Sequence, residues 1–412
     1  MKRILLFLIC AVSFAAECPV QSSVEGPVHY YGKLKAREGK GIIDGVKNGT
    51  VAQIRGLSFF WSQWSKEFYN ANAVGRLVAD WKAELVRAAY GATGAEFSNE
   101  TIGHIKTVAE AAIANDIYVI IDWHSHSAHN AAETERAKNF FKEIAKIYGK
   151  CDNVIFELYN EPTNATWQQI KTYAEAVIPV IREYSDNLIL VGTPNYSQKV
   201  QDVVGNAIAD ANVGYVLHFY AASHPLSLWR DNIDLALSRG LPIFVTEYGT
   251  TTSDGGCSPK ETANCKVDNY DSHNATNANQ WHAYMDRNKI SSAAWSVFDK
   301  YEGSAFFGTV PSGTFNQSVA ANWADATKMT ASGQYIFKKL NEYYKTAPWN
   351  PNAVPIKPPA IANLPQTGDV SIEIFSLQGK KMGNSLNNLS SGTYILLLKQ
   401  GSQTKSIKFV KK

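Results

Sequence analysis

Two glutamates occupy equivalent positions in this sequence, because each lies near the end of a short apolar run that is typical of a buried strand. Glu161 lies within Tyr-Asn-Glu-Pro, and Glu247 lies within Thr-Glu-Tyr-Gly. Cleavage of a glycosidic bond needs one group that protonates the leaving oxygen and a second that attacks the sugar or activates water. A single glutamate is most often a surface or ion-paired residue. Two glutamates at equivalent strand ends instead favour a paired catalytic role.

Other reactive side chains lie in or directly after the remaining apolar runs. They are Arg87, His124, Asn160, His218, Tyr220 and Trp295. A nearby arginine would keep one glutamate ionised, whereas a glutamate in less cationic surroundings could stay protonated. Structural roles are the alternative: Arg87 could pair with a core acid, His218 could be a core histidine, and Trp295 could fill a barrel.

The elements that would position these side chains alternate along the chain. Apolar runs typical of strands cover 53–59, 83–90, 117–124, 153–161, 188–193, 214–221, 242–249 and 292–298, and helical periodicity covers 102–115, 134–148, 167–184, 226–238 and 331–344. Their order predicts a (β/α)8 (TIM) barrel of the α/β class, with its active site at the strand ends. A doubly wound open sheet is the alternative. It would usually carry a glycine-rich phosphate loop after its first strand, and the sequence at 55–58 is not one.

Length and composition favour one large domain with an appendage. The chain has 412 residues, of which 45% are hydrophobic and 12% aromatic. We predict a signal peptide at 1–16, the barrel at 17–346, a proline-rich linker at 347–368 and a small β module at 369–412. Lys2 and Arg3 precede an apolar run that is too short to span a bilayer, as in secretory signal peptides. We therefore expect an exported protein.

The charge and the histidine spacing argue against two other classes of protein. A net charge of +3 does not favour a nucleic-acid binder held by phosphate contacts. His124, His126 and His129 follow an i, i+2, i+5 spacing that fits no common metal-ligand pattern. We expect neither a metal nor a cofactor.

The cysteines outside the predicted signal peptide raise the question of disulfides, which an exported protein can keep. Cys257 and Cys265 flank a short loop rich in Gly, Pro and Asn, and are the predicted pair. Four free thiols, or a different pairing among Cys18, Cys151, Cys257 and Cys265, are the alternatives.

Seven short motifs together resemble glycoside hydrolase family 5 and, within it, the bacterial endo-β-1,4-glucanases (cellulases). The resemblance covers about residues 28–340. The motifs are Ile-Arg-Gly (54–56), Leu-Val-Arg-Ala (85–88), Val-Ile-Ile-Asp-Trp-His (119–124), Tyr-Asn-Glu-Pro (159–162), Leu-His-Phe-Tyr (217–220), Val-Thr-Glu-Tyr-Gly (245–249) and Ala-Trp-Ser (294–296). One such motif alone would be weak, but the ordered set is specific.

The resemblance implies a retaining double displacement. Glu161 would be the general acid and then the general base, and Glu247 the nucleophile, with carboxyl groups about 5–5.5 Å apart. Asn160 would bind the sugar 2-hydroxyl, while Arg87 and Tyr220 would hold Glu247.

The resemblance also implies how a glucan would lie in the cleft. His124 and His218 would orient the sugar and the surroundings of the acid, and Trp295 would be the stacking floor, joined to Ser296 by a cis peptide bond. Further contacts would come from two aromatic residues on the rim and a charged pair at the non-reducing end. These are Trp64, Tyr196, Lys300 and Glu302.

Two features depart from many relatives. A histidine often follows the first strand, where this sequence reads Ser-Phe-Phe-Trp (58–61), and the loop at 250–276 is long. The tail resembles the C-terminal sorting domains of secreted Gram-negative enzymes, which implies outer-membrane secretion machinery or the cell surface as a partner. A small carbohydrate-binding module is the alternative for the tail.

The expected substrate is a β-1,4-glucan, cleaved by a monomeric enzyme. The same catalytic residues would also serve mannan, xylan or mixed-linkage glucan. A non-catalytic polysaccharide-binding barrel is the alternative from another functional class.

Overall fold

The computed structural model describes residues 17–37, 39–92, 99–253, 273–300, 302–307, 322–353, 371–376, 380–383, 392–400 and 403–411. The chain forms two compact units, Met1–Pro351 and Asn352–Lys412. The predicted signal peptide and residues 354–368 of the predicted linker lie outside the described residues.

Eight parallel strands of the first unit close into a barrel. They are β3 (Arg55–Phe59), β4 (Leu85–Gly91), β5 (Tyr118–His124), β6 (Val154–Glu157), β7 (Ile189–Val191), β8 (Val213–Tyr220), β9 (Ile243–Gly249) and β10 (Ser291–Val297), after an antiparallel hairpin of β1 (Leu34–Arg37) and β2 (Ile42–Gly45). The last barrel strand pairs with the first, with Ala294 opposite Leu57. This closure confirms the predicted (β/α)8 barrel and rules out an open sheet.

Helices surround the strands, and the longer ones bury an apolar face. They are α1 (Pro27–Tyr31), α2 (Ala71–Ala79), α3 (Asn99–Ala114), α4 (Ala131–Tyr148), α5 (Trp167–Arg182), α6 (Pro194–Ser197), α7 (Arg230–Ser238), α8 (Ala275–Asn288) and α9 (Ala331–Tyr344). In α5, Thr166 and Gln169 form a reciprocal capping box that fixes the start of the helix. Ile170, Val177 and Ile181 then recur on the buried face, so that one sequence period sets both the helix and its packing.

The β1–β2 hairpin seals the end of the barrel where the strands begin. Leu34 and Ile43 join one buried cluster with Leu85 and Ile120, which face the barrel interior near the start of their strands. The hydroxyl of Tyr118 donates to the carbonyl of Gly32 at 2.6 Å. The other end, where the strands finish, is therefore the one that can admit a ligand.

The fourth barrel strand ends earlier than predicted. Pairing stops at Glu157, although the predicted strand continues to 161. The chain then bends across β5, with the amide of Asn160 donating to the carbonyl of Trp123 at 3.3 Å and that of Glu161 to Ser125 at 3.2 Å. The bend places Glu161 above the end of the barrel rather than within the sheet.

The structure contains a disulfide that the sequence did not single out. Cys18 and Cys151 are bonded, which ties the start of the described chain to the turn before β6. The predicted partners Cys257 and Cys265 lie outside the described residues.

The second unit contains a four-stranded antiparallel sheet in the order β12-β11-β13-β14. Its strands are β11 (Ser371–Ser376), β12 (Lys381–Gly383), β13 (Gly392–Gln400) and β14 (Gln403–Lys411). This agrees with the predicted small β module. Within the part of the chain that the structure describes, no helix has the length and apolar character needed to cross a membrane.

Candidate active site

Glu247 extends from β9 into the open end of the barrel, where two donors hold its carboxylate. The hydroxyl of Tyr220 donates to Oε1 at 2.7 Å, and Nη1 of Arg87 donates to Oε2 at 3.1 Å. The side chain is buried. Both contacts stabilise a carboxylate, as a nucleophile in acetal chemistry requires.

Glu161 reaches the same space from the bend after β6. One oxygen of Glu161, one nitrogen of His218 and one oxygen of Glu247 all lie within 4.8 Å of one another. Retaining glycosidases place their two carboxyl groups about 5–5.5 Å apart, whereas inverting enzymes leave about 6.5–9.5 Å for a water molecule. The separation therefore fits the retaining arrangement.

Two histidines compete with Glu161 for protons. His218 Nδ1 lies 3.0 Å from Oε1, and His126 Nε2 lies 3.5 Å from Oε2. Burial raises the pKa of Glu161, whereas hydrogen bonds donated by His126 and His218 would lower it, so the charge of Glu161 depends on whether His218 donates or accepts in their contact. Burial in turn lowers the pKa of His218, while its contact with Glu161 raises that pKa. Glu161 and His218 therefore form a pair that shares one proton.

Arg87 lies near the middle of β4, because the strand continues to Gly91. Its Nη2 lies 2.8 Å from Oδ2 of Asp122, its Nε donates to Glu157 at 2.8 Å, and Nη2 also donates to Oδ1 of Asn160 at 2.6 Å. Burial lowers the pKa of Arg87, but the surrounding carboxylates raise it by more than burial lowers it. The net pKa is above the usual value, so the guanidinium stays charged. It does pair with core acids, and it contacts Glu247 as well.

Asp122 and Glu157 are site residues to which the sequence interpretation assigned no role. Both are fully buried, and burial raises the pKa of each to about 7 against the lowering effect of Arg87. The two-residue period of the strands could have indicated their position, because residues two apart in a strand face the same side of the sheet. Ile120 and Ile155, two positions earlier, lie in the barrel's interior cluster.

The contact with Arg87 fixes the amide orientation of Asn160. Because its Oδ1 accepts from Nη2, the opposite end of the amide is the donor. An N–H donor on a residue that is held by the same guanidinium as Glu247 suits the predicted contact with a sugar hydroxyl.

The floor of the site is aromatic. The Trp295 ring lies parallel to the imidazole of His124, with ring centroids 5.5 Å apart. The ring of Phe60 also packs against Trp295, with centroids 5.4 Å apart. His124 Nδ1 lies 2.6 Å from Asp122, and burial lowers the pKa of His124, which favours the neutral ring. The Trp295–Ser296 peptide bond is cis, as the resemblance implied.

The predicted rim residues differ in how accessible they are. Trp64 is 54% exposed and Tyr196 is 46% exposed, so both can offer a ring to a ligand. Lys300 is half exposed, whereas Glu302 is buried and lies 2.8 Å from the Lys300 ammonium. Glu302 is thus placed to orient Lys300, which is the more accessible of the pair.

Cation binding does not explain this cluster. His124, His126 and His129 contact three different partners, namely Asp122, Glu161 and Tyr159. Glu161, His218 and Glu247 could together contact one ion. However, the guanidinium of Arg87 already supplies positive charge 3.1 Å from Glu247, and it would repel a metal ion there.

A closed (β/α)8 barrel with two close glutamates at the carboxyl ends of its strands fits the class of glycoside hydrolases. The profile of the Cellulase family (glycosyl hydrolase family 5) matches residues 44–301, which is more than half of the chain. The chain belongs to this family.

Named relatives are similar over the barrel. Endoglucanase Z of Dickeya dadantii is 43% identical over 261 residues, which are 61% of this chain and 57% of that protein. A solved structure from Cytophaga hutchinsonii is 37% identical, with a TM-score of 0.69, and the match covers 77% of this chain and 97% of that one. The catalytic domain of Thermobifida fusca endoglucanase Cel5A, in a variant solved with cellotetraose, is 29% identical, with a TM-score of 0.66 and coverage of 77% and 99%. The chain spans less than two thirds of the length of the first curated relatives it matches.

Proposed function

We propose that this protein is an endo-β-1,4-glucanase that hydrolyses internal bonds of cellulose and related β-glucans with retention of configuration. The observation that carries the proposal is the approach of the Glu161 and Glu247 carboxylates to within 4.8 Å. Endoglucanases among the relatives, and cellotetraose bound to one of them, support a β-1,4-glucan as substrate.

The first step breaks the glycosidic bond. An oxygen of Glu247 attacks the anomeric carbon, while Glu161 transfers its proton to the leaving oxygen as the bond between that oxygen and the carbon breaks. Arg87 and Tyr220 hold Glu247 in line for the attack. The product is a glycosyl ester of Glu247 and a shortened glucan with a free hydroxyl.

The second step hydrolyses the glycosyl ester and regenerates the free enzyme. Glu161, now a carboxylate, takes a proton from water as the water oxygen attacks the anomeric carbon and the ester bond to Glu247 breaks. A hydrogen bond from His126, whose Nε2 lies 3.5 Å from Oε2, stabilises this carboxylate between the two steps. Two successive inversions give net retention.

Release of reducing sugar from carboxymethylcellulose tests the proposal. Glu161→Gln and Glu247→Gln should each lower kcat by at least about 10²-fold, because each removes an acid, base or nucleophile. Glu183→Gln, the same change at an exposed position after α5, is the matched control and should keep full activity. Full activity in either catalytic variant would refute the mechanism.

A panel of polysaccharides tests which polymer is the preferred substrate. Cellulose, mixed-linkage glucan, mannan and xylan compared by kcat/KM should favour the β-1,4-glucans. A higher value on mannan or xylan would keep the mechanism and replace the substrate. No product from any β-glycan, together with measurable binding, would instead identify a polysaccharide-binding barrel.

We also propose that the protein is exported and that its C-terminal unit interacts with the outer-membrane secretion machinery or the cell surface. The sequence at 1–16 and the tail resemblance support this. Fractionation of cells that produce the full chain should find it outside the cytoplasm, with a new N-terminus near Glu17. A cytoplasmic protein that retains Met1 would contradict export.

A further inference from the structure

We propose that Thr246 and Glu157 are positioning residues that set the tautomer of His218 and thereby keep the catalytic proton on Glu161. This inference rests on the proposed function, because it concerns how the acid of the same site is kept protonated.

A continuous chain of hydrogen bonds connects Glu157 to Glu161. The Thr246 hydroxyl donates to Oε1 of Glu157 at 2.8 Å, and Thr246 Oγ1 lies 2.9 Å from His218 Nε2. His218 Nδ1 lies 3.0 Å from Oε1 of Glu161. Glu157, Thr246 and His218 are all buried, so the chain is enclosed by protein.

The direction of the chain is fixed at its Glu157 end. Nε and Nη2 of Arg87 donate to the two oxygens of Glu157 at 2.8 and 3.1 Å, and above its pKa of about 7, in the range of the alkaline limb, Glu157 is an ionised acceptor. The single hydroxyl hydrogen of Thr246 is therefore donated to Glu157. The Thr246 oxygen must then accept from Nε2–H of His218.

A neutral His218 with its hydrogen on Nε2 has an unprotonated Nδ1. The hydrogen in the 3.0 Å contact then has to come from Glu161, which is the protonated form that a general acid needs. In the reverse direction, Nδ1–H would donate to a Glu161 carboxylate, and the hydrogen would reside on Glu157 against the two donors of Arg87. The guanidinium thus disfavours the reversed chain.

Other charged groups face this chain from neighbouring elements. Glu161 is approached by His126 from the loop after β5, by His224 from the loop after β8 and by Glu247 from β9. Glu157 is approached by Arg87 and by the carboxylate of Asp122. These groups stay in place when only the Thr246 hydroxyl is removed, so its substitution isolates the effect of the chain.

The test is Thr246→Val, with Thr246→Ser as the conservative rescue. Without the hydroxyl, His218 should carry its hydrogen on Nδ1 and donate to Glu161, which then stays ionised. The alkaline limb of the kcat/KM profile should move down by about one pH unit. Hydrolysis of cellobiosides with a poor leaving group should fall about 10–100-fold, while that of a dinitrophenyl cellobioside, which needs no acid, should change little. Thr246→Ser should restore both.

Thr250→Val is the matched control for the loss of a buried hydroxyl. Thr250 donates to Ser332 at 2.8 Å and takes no part in the chain. The Thr250→Val variant should lower the stability of the fold without shifting the pH profile of kcat/KM or changing the dependence on the leaving group. If Thr246→Val behaves like Thr250→Val, the inference is overturned.

Nitrogen-15 NMR of the histidine side chains reports the tautomer of His218 independently of activity. The wild type should show His218 protonated on Nε2, and Thr246→Val should show it protonated on Nδ1. A wild type that hydrolyses no β-glycan but has this tautomer would refute the proposed function and support the chain. A wild-type His218 protonated on Nδ1 would refute the chain even in an active enzyme.

Discussion

Arg87 donates from Nη1 to Oε2 of Glu247 across 3.1 Å, inside a barrel that excludes both side chains from solvent. The same guanidinium contacts Glu157 and Asp122. One buried cation thus compensates the nucleophile and two supporting acids, and its removal should affect folding as well as catalysis.

Arg87→Met should lower the free energy of unfolding by about 3–5 kcal/mol at pH 8, because it leaves buried carboxylates without a counter-charge. The loss should be smaller at pH 5, where Asp122 and Glu157, with pKa values of about 7, are protonated in the folded state. Urea denaturation at both pH values measures it. Arg76→Met, which breaks the partly exposed pair with Asp80, should cost under about 1 kcal/mol. Equal losses from both variants would contradict this account.

The Cys18–Cys151 disulfide should stabilise the fold mainly by restricting the unfolded chain. The bridged positions are separated by 133 residues, and loops of this size correspond to about 4–5 kcal/mol. The double variant Cys18→Ser, Cys151→Ser should melt at a lower temperature and keep its activity at 25 °C. An unchanged melting temperature would show that the bond adds no stability. In a separate test, a Cys257→Ser, Cys265→Ser variant examines the pairing that was predicted from sequence.

His282 makes stability depend on pH. Burial, with a smaller effect of Lys339, lowers its pKa to about 3, whereas an unfolded histidine titrates near about 6.5. The unfolded state therefore binds more protons between these values, and stability is full above about pH 6.5 and declines as the pH falls below it. At pH 5 the deficit from His282 should be about 2 kcal/mol relative to pH 7. His282→Gln should flatten the dependence, and a parallel curve for the variant would contradict the assignment.

The exposed aromatic rings should bind substrate without taking part in the chemistry. Trp64→Ala should raise KM for cello-oligosaccharides about 2–10-fold and leave kcat nearly unchanged, since ring contacts contribute about 0.5–1.5 kcal/mol. Tyr196 lies near the proposed acid, because its amide donates to the carbonyl of Pro162, the residue after Glu161. Tyr196→Trp should lower KM for longer chains. Steady-state kinetics on a length series would decide, and an effect confined to kcat would contradict a binding role.

The barrel was predictable from sequence because its strands are buried on both faces and therefore read as continuous apolar runs. Tyr118–His124, for example, is buried at every position. Glu161 and Glu247 were recognisable for the same reason, since polar groups directly after such runs are conspicuous. The bend that turns Glu161 over the barrel was not predictable, because backbone contacts to Trp123 and Ser125 determine it.

The supporting residues were harder to find. Glu157 sits inside an apolar run, where only the two-residue period of the strand indicates that it faces the interior. His126 approaches Glu161 through the course of a loop, which no sequence period records. The Cys18–Cys151 bond joins positions far apart in the chain, and no local spacing marks it.

The central claim is that Glu247 attacks the sugar while Glu161 supplies the proton. A 2-deoxy-2-fluoro cellobioside with a dinitrophenolate leaving group slows the second step and lets the ester accumulate, and peptide mass spectrometry then locates it. We predict time-dependent inactivation with one glycosyl group on Glu247 and none on the Glu247→Gln variant. An ester on another residue, or turnover with inversion and no labelled residue, would contradict the account.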